Sequence, residues 1–178
     1  MRIIAGAWGG RRIRAPGGRS TRPTTDRIRE AWMSALGGRF EGLRVVDLFA
    51  GSGALGLETL SRGAEAVVFV EISRGALKAL HANIDTLDAR DRCTVLRADV
   101  HRWIAGVEGV AFDLALADPP YGQGHAAALL EAFRRAPFAD ELWLEHRTGE
   151  TIPELPGMRQ RRYGDTTLTA LKREDLHP

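Results

Sequence analysis

Asp118-Pro119-Pro120-Tyr121 follows an apolar run, and its residue types suit one kind of chemistry. An amino nitrogen conjugated to a ring is a poor nucleophile, because its lone pair is delocalised. The Asp118 carboxylate and the Pro119 carbonyl can each accept one N–H from such a group. That favours a more tetrahedral nitrogen with its lone pair exposed. Two prolines hold the backbone with little conformational freedom, the preorganisation that a transition state rewards. Tyr121 offers a flat face for a base, worth about 1–3 kcal/mol of stacking. Alone the tetrapeptide reads as a rigid turn; its neighbours in the sequence give it chemistry.

The first of those neighbours is 45–56, Val-Val-Asp-Leu-Phe-Ala-Gly-Ser-Gly-Ala-Leu-Gly, which contains a G-x-G-x-x-G pattern. Such a strand-to-helix turn lets a cofactor approach the backbone, so a dinucleotide site comes first to mind. Glu71, at the end of the next strand, is placed to accept both hydroxyls of a ribose. Two features turn the reading away from a dinucleotide. Asp47 would set a buried anion beside a pyrophosphate, whereas a cationic sulfonium with an amino-acid moiety meets no such objection. The chain also leaves no room for the separate catalytic domain of a dehydrogenase. Asp99, after the third strand, is placed either to accept from an adenine amino group or to cap a helix. Asp47, Glu71 and Asp99 end successive strands, along the edge where open α/β sheets bind ligands.

The elements that must position these groups follow from periodicity. Residues 2–7 and 11–14, around Trp8-Gly9-Gly10, predict a small hairpin, and Pro16 to Thr25 a loop. A helix follows, capped by Thr24, Thr25 or Asp26, with Ile28, Ala31, Trp32, Ala35 and Leu36 on one face. Strands are expected over 44–49, 66–70, 93–96, 112–117 and 141–145. Helices begin after Gly53, Ser73 and Asp99, and another spans 125–135. The rhythm then breaks into a hairpin over 158–163 and 166–172. This is an α/β pattern: a mostly parallel sheet with helices on both faces and an antiparallel C-terminal edge.

Composition narrows the setting. The chain has 178 residues, 44% of them hydrophobic, enough for one buried core. No apolar run approaches the ~20 residues of a membrane span. A single cysteine, Cys93, allows no internal disulfide and fits a reducing, cytoplasmic setting. Cys93, His81, His101, His125 and His146 lack metal-ligand spacing, so no metal is expected. Residues 1–29 hold eight arginines against one acid, Asp26, while the remainder has 17 basic and 22 acidic residues. A +7 arm on a −5 body suggests a polyanion partner met through the arm.

Three segments together carry a family resemblance: Asp47 to Glu58, Asp118 to Tyr121, and Arg22-Pro-Thr-Thr-Asp-Arg-Ile-Arg-Glu30. The chain resembles the RsmD-type family, the bacterial 16S rRNA (guanine-N2)-methyltransferases. The opening Arg2-Ile-Ile-Ala-Gly-Ala-Trp8 and Gly10-Arg-Arg also match, so the likeness covers essentially the whole chain. The first two motifs are shared by many amino methyltransferases; 22–30 narrows the family. Tyr121 stands where some members carry Phe. The resemblance implies a seven-stranded Rossmann-like class I methyltransferase, S-adenosylmethionine as cofactor, and a guanine of 16S rRNA in the small subunit or its precursor.

On that reading Glu71 holds the ribose, Asp99 the adenine, and the turn from Asp47 through Ala50, Gly51 and Gly53 the methionine portion. Thr25 and Arg27 close over that end, with Asp118 beside it. Asp118, Pro119 and Tyr121 hold the extruded guanine. Arg11, Arg12, Arg14, Arg19, Arg22 and Arg27 meet RNA. Residues 1–38 form a basic hairpin, linker and helix, and 39–178 the methyltransferase domain, expected as a monomer. The competing expectations are an N6-adenine methyltransferase on DNA or RNA, a glutamine-amide methyltransferase, and a non-catalytic rRNA-binding assembly factor.

Overall fold

The structure, a computed structural model, describes residues 1–15 and 26–176. The loop expected over 16–25, with Thr25, Arg19 and Arg22, lies outside the described residues. The elements are α1 (Asp26–Ala35), β1 (Arg44–Leu48), α2 (Ala54–Ser61), β2 (Ala66–Glu71), α3 (Arg74–Leu87) and β3 (Cys93–Arg97). Then come α4 (Val100–Ile104), β4 (Phe112–Ala117), α5 (His125–Arg135), β5 (Ala139–Arg147), β6 (Arg159–Tyr163) and β7 (Thr166–Lys172).

One seven-stranded sheet has the order β3-β2-β1-β4-β5-β7-β6. Strands β1 to β5 run parallel, β7 is antiparallel to β5, and β6 antiparallel to β7. The order reverses between β1 and β4, whose carboxyl ends flank the crevice where such sheets bind ligands. Alternation along β1 divides the core. Val45 joins a cluster with Ile3, Trp32, Leu57 and Leu80 on one sheet face. Val46 and Leu48 join Ile104, Leu129 and Phe133 on the other. No helix among the described residues is long and apolar enough to cross a membrane.

Three expectations are refined. Residues 2–7 and 11–14 do meet in antiparallel fashion, with one bridge, Arg2 to Arg12, but not as two regular strands. Ile3 N–H donates to the Arg11 carbonyl at 2.9 Å, Gly10 N–H to the Ile3 carbonyl at 2.8 Å and Ile13 N–H to the Met1 carbonyl at 3.0 Å. The donors just beyond Ile3 go instead to α2. Ile4 and Ala5 N–H groups donate to the Glu58 carboxylate at 2.8 and 3.0 Å, and Ala7 N–H to the Ser61 carbonyl at 2.7 Å. The expected face of α1 packs on the core through Ile28, Trp32, Ala35 and Leu36, and burial extends beyond it to Met33 and Arg29, an arginine that apolar spacing could not mark. Finally, β5 extends through Arg147. Polar His146 and Arg147 hid this, yet His146 is buried, and its Nε2 meets Thr169 Oγ1 at 2.8 Å.

Candidate active site

The turn after β1 is held open by its own geometry. Phe49 sits at φ 57°, a left-handed conformation that costs a non-glycine residue roughly 1–2 kcal/mol. Gly53 caps α2 at φ 81°, and a Cβ there would lie 2.3 Å from Leu80 Cδ1. Gly56 matters for approach rather than angle: a Cβ would lie 2.4 Å from Phe69 Cε1. The small residues of the pattern therefore let α2 lie close on β2 and keep its amino end at the sheet edge.

Asp47 and Glu71 brace this turn. Asp47 is buried on β1, and its Oδ2 accepts from Gly56 N–H at 2.9 Å. Glu71 Oε2 accepts from Gly51 N–H at 2.8 Å, and Oε1 accepts from Ile72 and Ser73 N–H at the same distance. Thus Glu71 ties the end of β2 to the glycine turn. Burial raises the Asp47 pKa well above the ordinary carboxylate range; the Gly56 N–H opposes this, and the charges of Asp118 and Glu71 add to it. Three carboxylates thus crowd one turn. An anionic ligand would worsen that repulsion, and a cation would relieve it.

Asp118 and Pro119 follow β4 directly across from this turn, Asp118 half-buried and Pro119 buried. The Tyr121 hydroxyl donates to Glu145 Oε1 at 2.5 Å and lies 3.2 Å from Thr166 Oγ1. Trp32 Nε1 donates to the other Glu145 oxygen at 2.9 Å. Burial, then the bond to Glu145, raises the Tyr121 phenol pKa. The ring that the sequence offered as a stacking face is therefore anchored, neutral, at its far end. Glu145, Trp32 and Thr166 were missed, since their partnership depends on β5 and β7 meeting α1.

Asp99 Oδ1 accepts from Arg102 N–H at 2.9 Å and caps α4, so the capping alternative is present; its carboxylate is exposed at the strand edge. A second missed group lies nearby. His101 of α4 and His125 of α5 stack, with Nε2 to Nδ1 at 2.8 Å, and Phe49 abuts both rings. Burial first, then His125, lowers the His101 pKa, and Asp99 opposes them. The bridge joins the helices that follow β3 and β4 beneath the crevice.

The N-terminal segment reaches the same turn. Buried Asn83 of α3 donates from Nδ2 to the Arg14 and Ser52 carbonyls, each at 2.9 Å, while Arg14 N–H donates to its Oδ1 at 2.6 Å. Arg12 and Arg14 are exposed, as is Arg27 on α1. Arg11 is exposed too, but its guanidinium donates to the Thr86 carbonyl of α3. Among the described residues, no group of side chains suited to a metal ion occurs.

A parallel sheet with a terminal antiparallel hairpin, and acids converging on the carboxyl edge, define the class I methyltransferase fold. A family described as "Conserved hypothetical protein 95" matches residues 1–172. The chain is 36% identical to YlbH of Bacillus subtilis (strain 168), covering 97% of this chain and 99% of the relative. It is 33% identical to ribosomal RNA small subunit methyltransferase D of Escherichia coli (strain K12), covering 88% and 79%. The solved structure of Escherichia coli yhhF superposes with a TM-score of 0.82 at 30% identity, covering 97% of each chain. The chain belongs to this family, the RsmD type.

Proposed function

We propose that the chain transfers a methyl group from S-adenosylmethionine to the exocyclic N2 of a guanine in 16S rRNA. The observation that carries this reading is the convergence of Asp47, Glu71 and Asp118 on the Gly51 turn. That turn suits a ligand with positive charge at sulfur and at an α-amino group. The name borne by the Escherichia coli relative supports small-subunit rRNA as the substrate.

S-adenosylmethionine supplies, when bound, a methyl group on a cationic sulfur. The chain's residues do the rest. Glu71, held by three backbone N–H groups, offers its remaining lone pairs to ribose hydroxyls. Asp99 accepts from the adenine amino group through the oxygen not used by Arg102. Gly51 and Gly53 leave the backbone bare for the amino-acid portion. Asp118 and the Pro119 carbonyl take the two N–H bonds of the guanine amine and turn its lone pair outward, while Tyr121, anchored by Glu145, supports the ring. No strong base is required beforehand, because the nitrogen becomes acidic only after transfer; Asp118 or water then takes the proton. Catalysis is mainly positioning.

The test is a nuclease digest of small subunits from a strain lacking the corresponding enzyme, after incubation with the chain and methyl-labelled S-adenosylmethionine. Label in N2-methylguanosine is expected. Label in N6-methyladenosine alone, or none, contradicts the reading.

A further inference from the structure

The −5 body is not evenly acidic. Strand β6 reads Arg-Gln-Arg-Arg-Tyr, with three arginines, no acid, and four of its five residues exposed. It is the outermost strand, paired on one side with β7 and, among the described residues, with no strand on the other. Arg159 is paired with Glu141 at 2.7 Å. Among the described residues, Arg147, Arg161 and Arg162 form no ion pair with an acid.

These arginines lie beside the reacting end of the site. Thr166, 3.2 Å from the Tyr121 hydroxyl, is in register with Arg147 on one side and Tyr163 on the other. Adjacent strands lie about 4.8 Å apart, so both positions are one strand's width from Thr166. Arg162 and Arg161 are the next two residues back along β6. The hairpin tip is fixed: Thr148 Oγ1 donates to the Gly164 carbonyl at 3.0 Å, and Thr148 N–H to the Asp165 carbonyl at 2.8 Å. Arg162 Nε donates to the same Gly164 carbonyl at 3.1 Å.

Alternation sends Arg161 to the sheet face of Leu168 and Trp32, and Arg162 to the opposite face. Cations on both sides of an edge suit a chain of negative charges laid over that edge. An arginine fork also matches a phosphate in bidentate fashion.

Resting on the rRNA reading above, we propose that β6 and Arg147 form a second RNA surface. It takes backbone phosphates of the strand that carries the target base, on the opposite side of the site from the N-terminal segment. The competing role for edge arginines is to block strand-to-strand association, which requires no RNA.

The test uses the full chain with Arg147, Arg161 and Arg162 all changed to Gln, beside the same three changed to Lys. Binding to a fluorescein-labelled RNA hairpin is measured across a salt series. Each lost phosphate contact removes about 0.7–0.9 from the log–log salt slope. The Gln variant is expected to lose roughly two in slope and at least tenfold in affinity, while the Lys variant keeps the slope. Affinity for S-adenosylhomocysteine and the melting temperature report an intact fold. Should the triple variant not fold, Arg161→Gln alone is expected to lose about 0.8 in slope. An unchanged slope in a folded Gln variant overturns the surface, most plainly if that variant also self-associates. Methylation of small subunits by the unaltered chain is followed in parallel. Methylation with no slope change defeats the surface alone, and a slope change without methylation defeats the enzymatic reading while the surface stands.

Discussion

Asp47 is a carboxyl placed where its own charge is costly, and the direction of that cost makes it testable. Its pKa is raised in the folded chain. Folding therefore binds its proton more tightly, so its stability contribution falls as pH rises from the ordinary carboxylate value toward the folded one. Asn at this position keeps an acceptor for Gly56 N–H without the charge. Asp47→Asn is expected to raise the melting temperature of the free chain at neutral pH. It should also weaken S-adenosylmethionine by about tenfold, the equivalent of ~1.4 kcal/mol. Thermal melting and calorimetry check the two signs; a variant less stable and equally tight in binding would contradict the assignment. Strand-end positions in the sequence placed Asp47, Glu71 and Asp118 along one sheet edge, and the structure brings the three together. The sequence did not disclose how the site's side chains are occupied: Glu71 already accepts from three backbone N–H groups, and Tyr121 is tied to Glu145. The bonds from Gly51 to Glu71 and from Tyr121 to Glu145 join residues 20 and 24 positions apart and leave no local spacing to read.

Among the elements, β4 and α5 were legible residue for residue, as apolar periodicity bounded by Pro and Gly marks both ends. The N-terminal segment was legible only in its short antiparallel pairing, since its other partners lie on α2 and α3. Fully buried Glu58 takes the N–H groups of Ile4 and Ala5 and the Arg62 guanidinium, the last at 2.9 Å. Asn83 ties Arg14 to the Ser52 turn. The segment is thus a strap on the helices rather than a tail, and Ile3 and Ile13 are core residues. Glu58→Ala leaves two N–H groups and a mostly buried guanidinium without their acceptor, a change of the class that costs about 3–5 kcal/mol. Denaturant unfolding monitored at Trp fluorescence checks it, and a loss below ~1 kcal/mol would show that the strap is dispensable.

Over the whole molecule, charge is divided by place. A +7 arm on a −5 body suggests a polyanion met through the arm, and β6 sets three further arginines on the body's own edge. Arm residues also divide: Arg11, Arg12 and Arg14 are all exposed, but the Arg11 guanidinium is held by the Thr86 carbonyl. Replacing Arg12 and Arg14 together by Ala is expected to flatten the salt slope of RNA binding by about 1.5. Replacing Arg11 alone is expected to change it little, and equal effects from Arg11 and Arg12 would contradict this division. The account's central claim is that the end of β4 holds the amine that reacts. It is tested most directly by single-turnover methyl transfer to small subunits at saturating S-adenosylmethionine, comparing Asp118→Ala with the unaltered chain. The predicted result is a rate lower by about 10²–10³, the scale of a lost preorganised contact, which saturating cofactor does not restore. An unchanged rate, or a loss explained wholly by weaker cofactor binding, would contradict it.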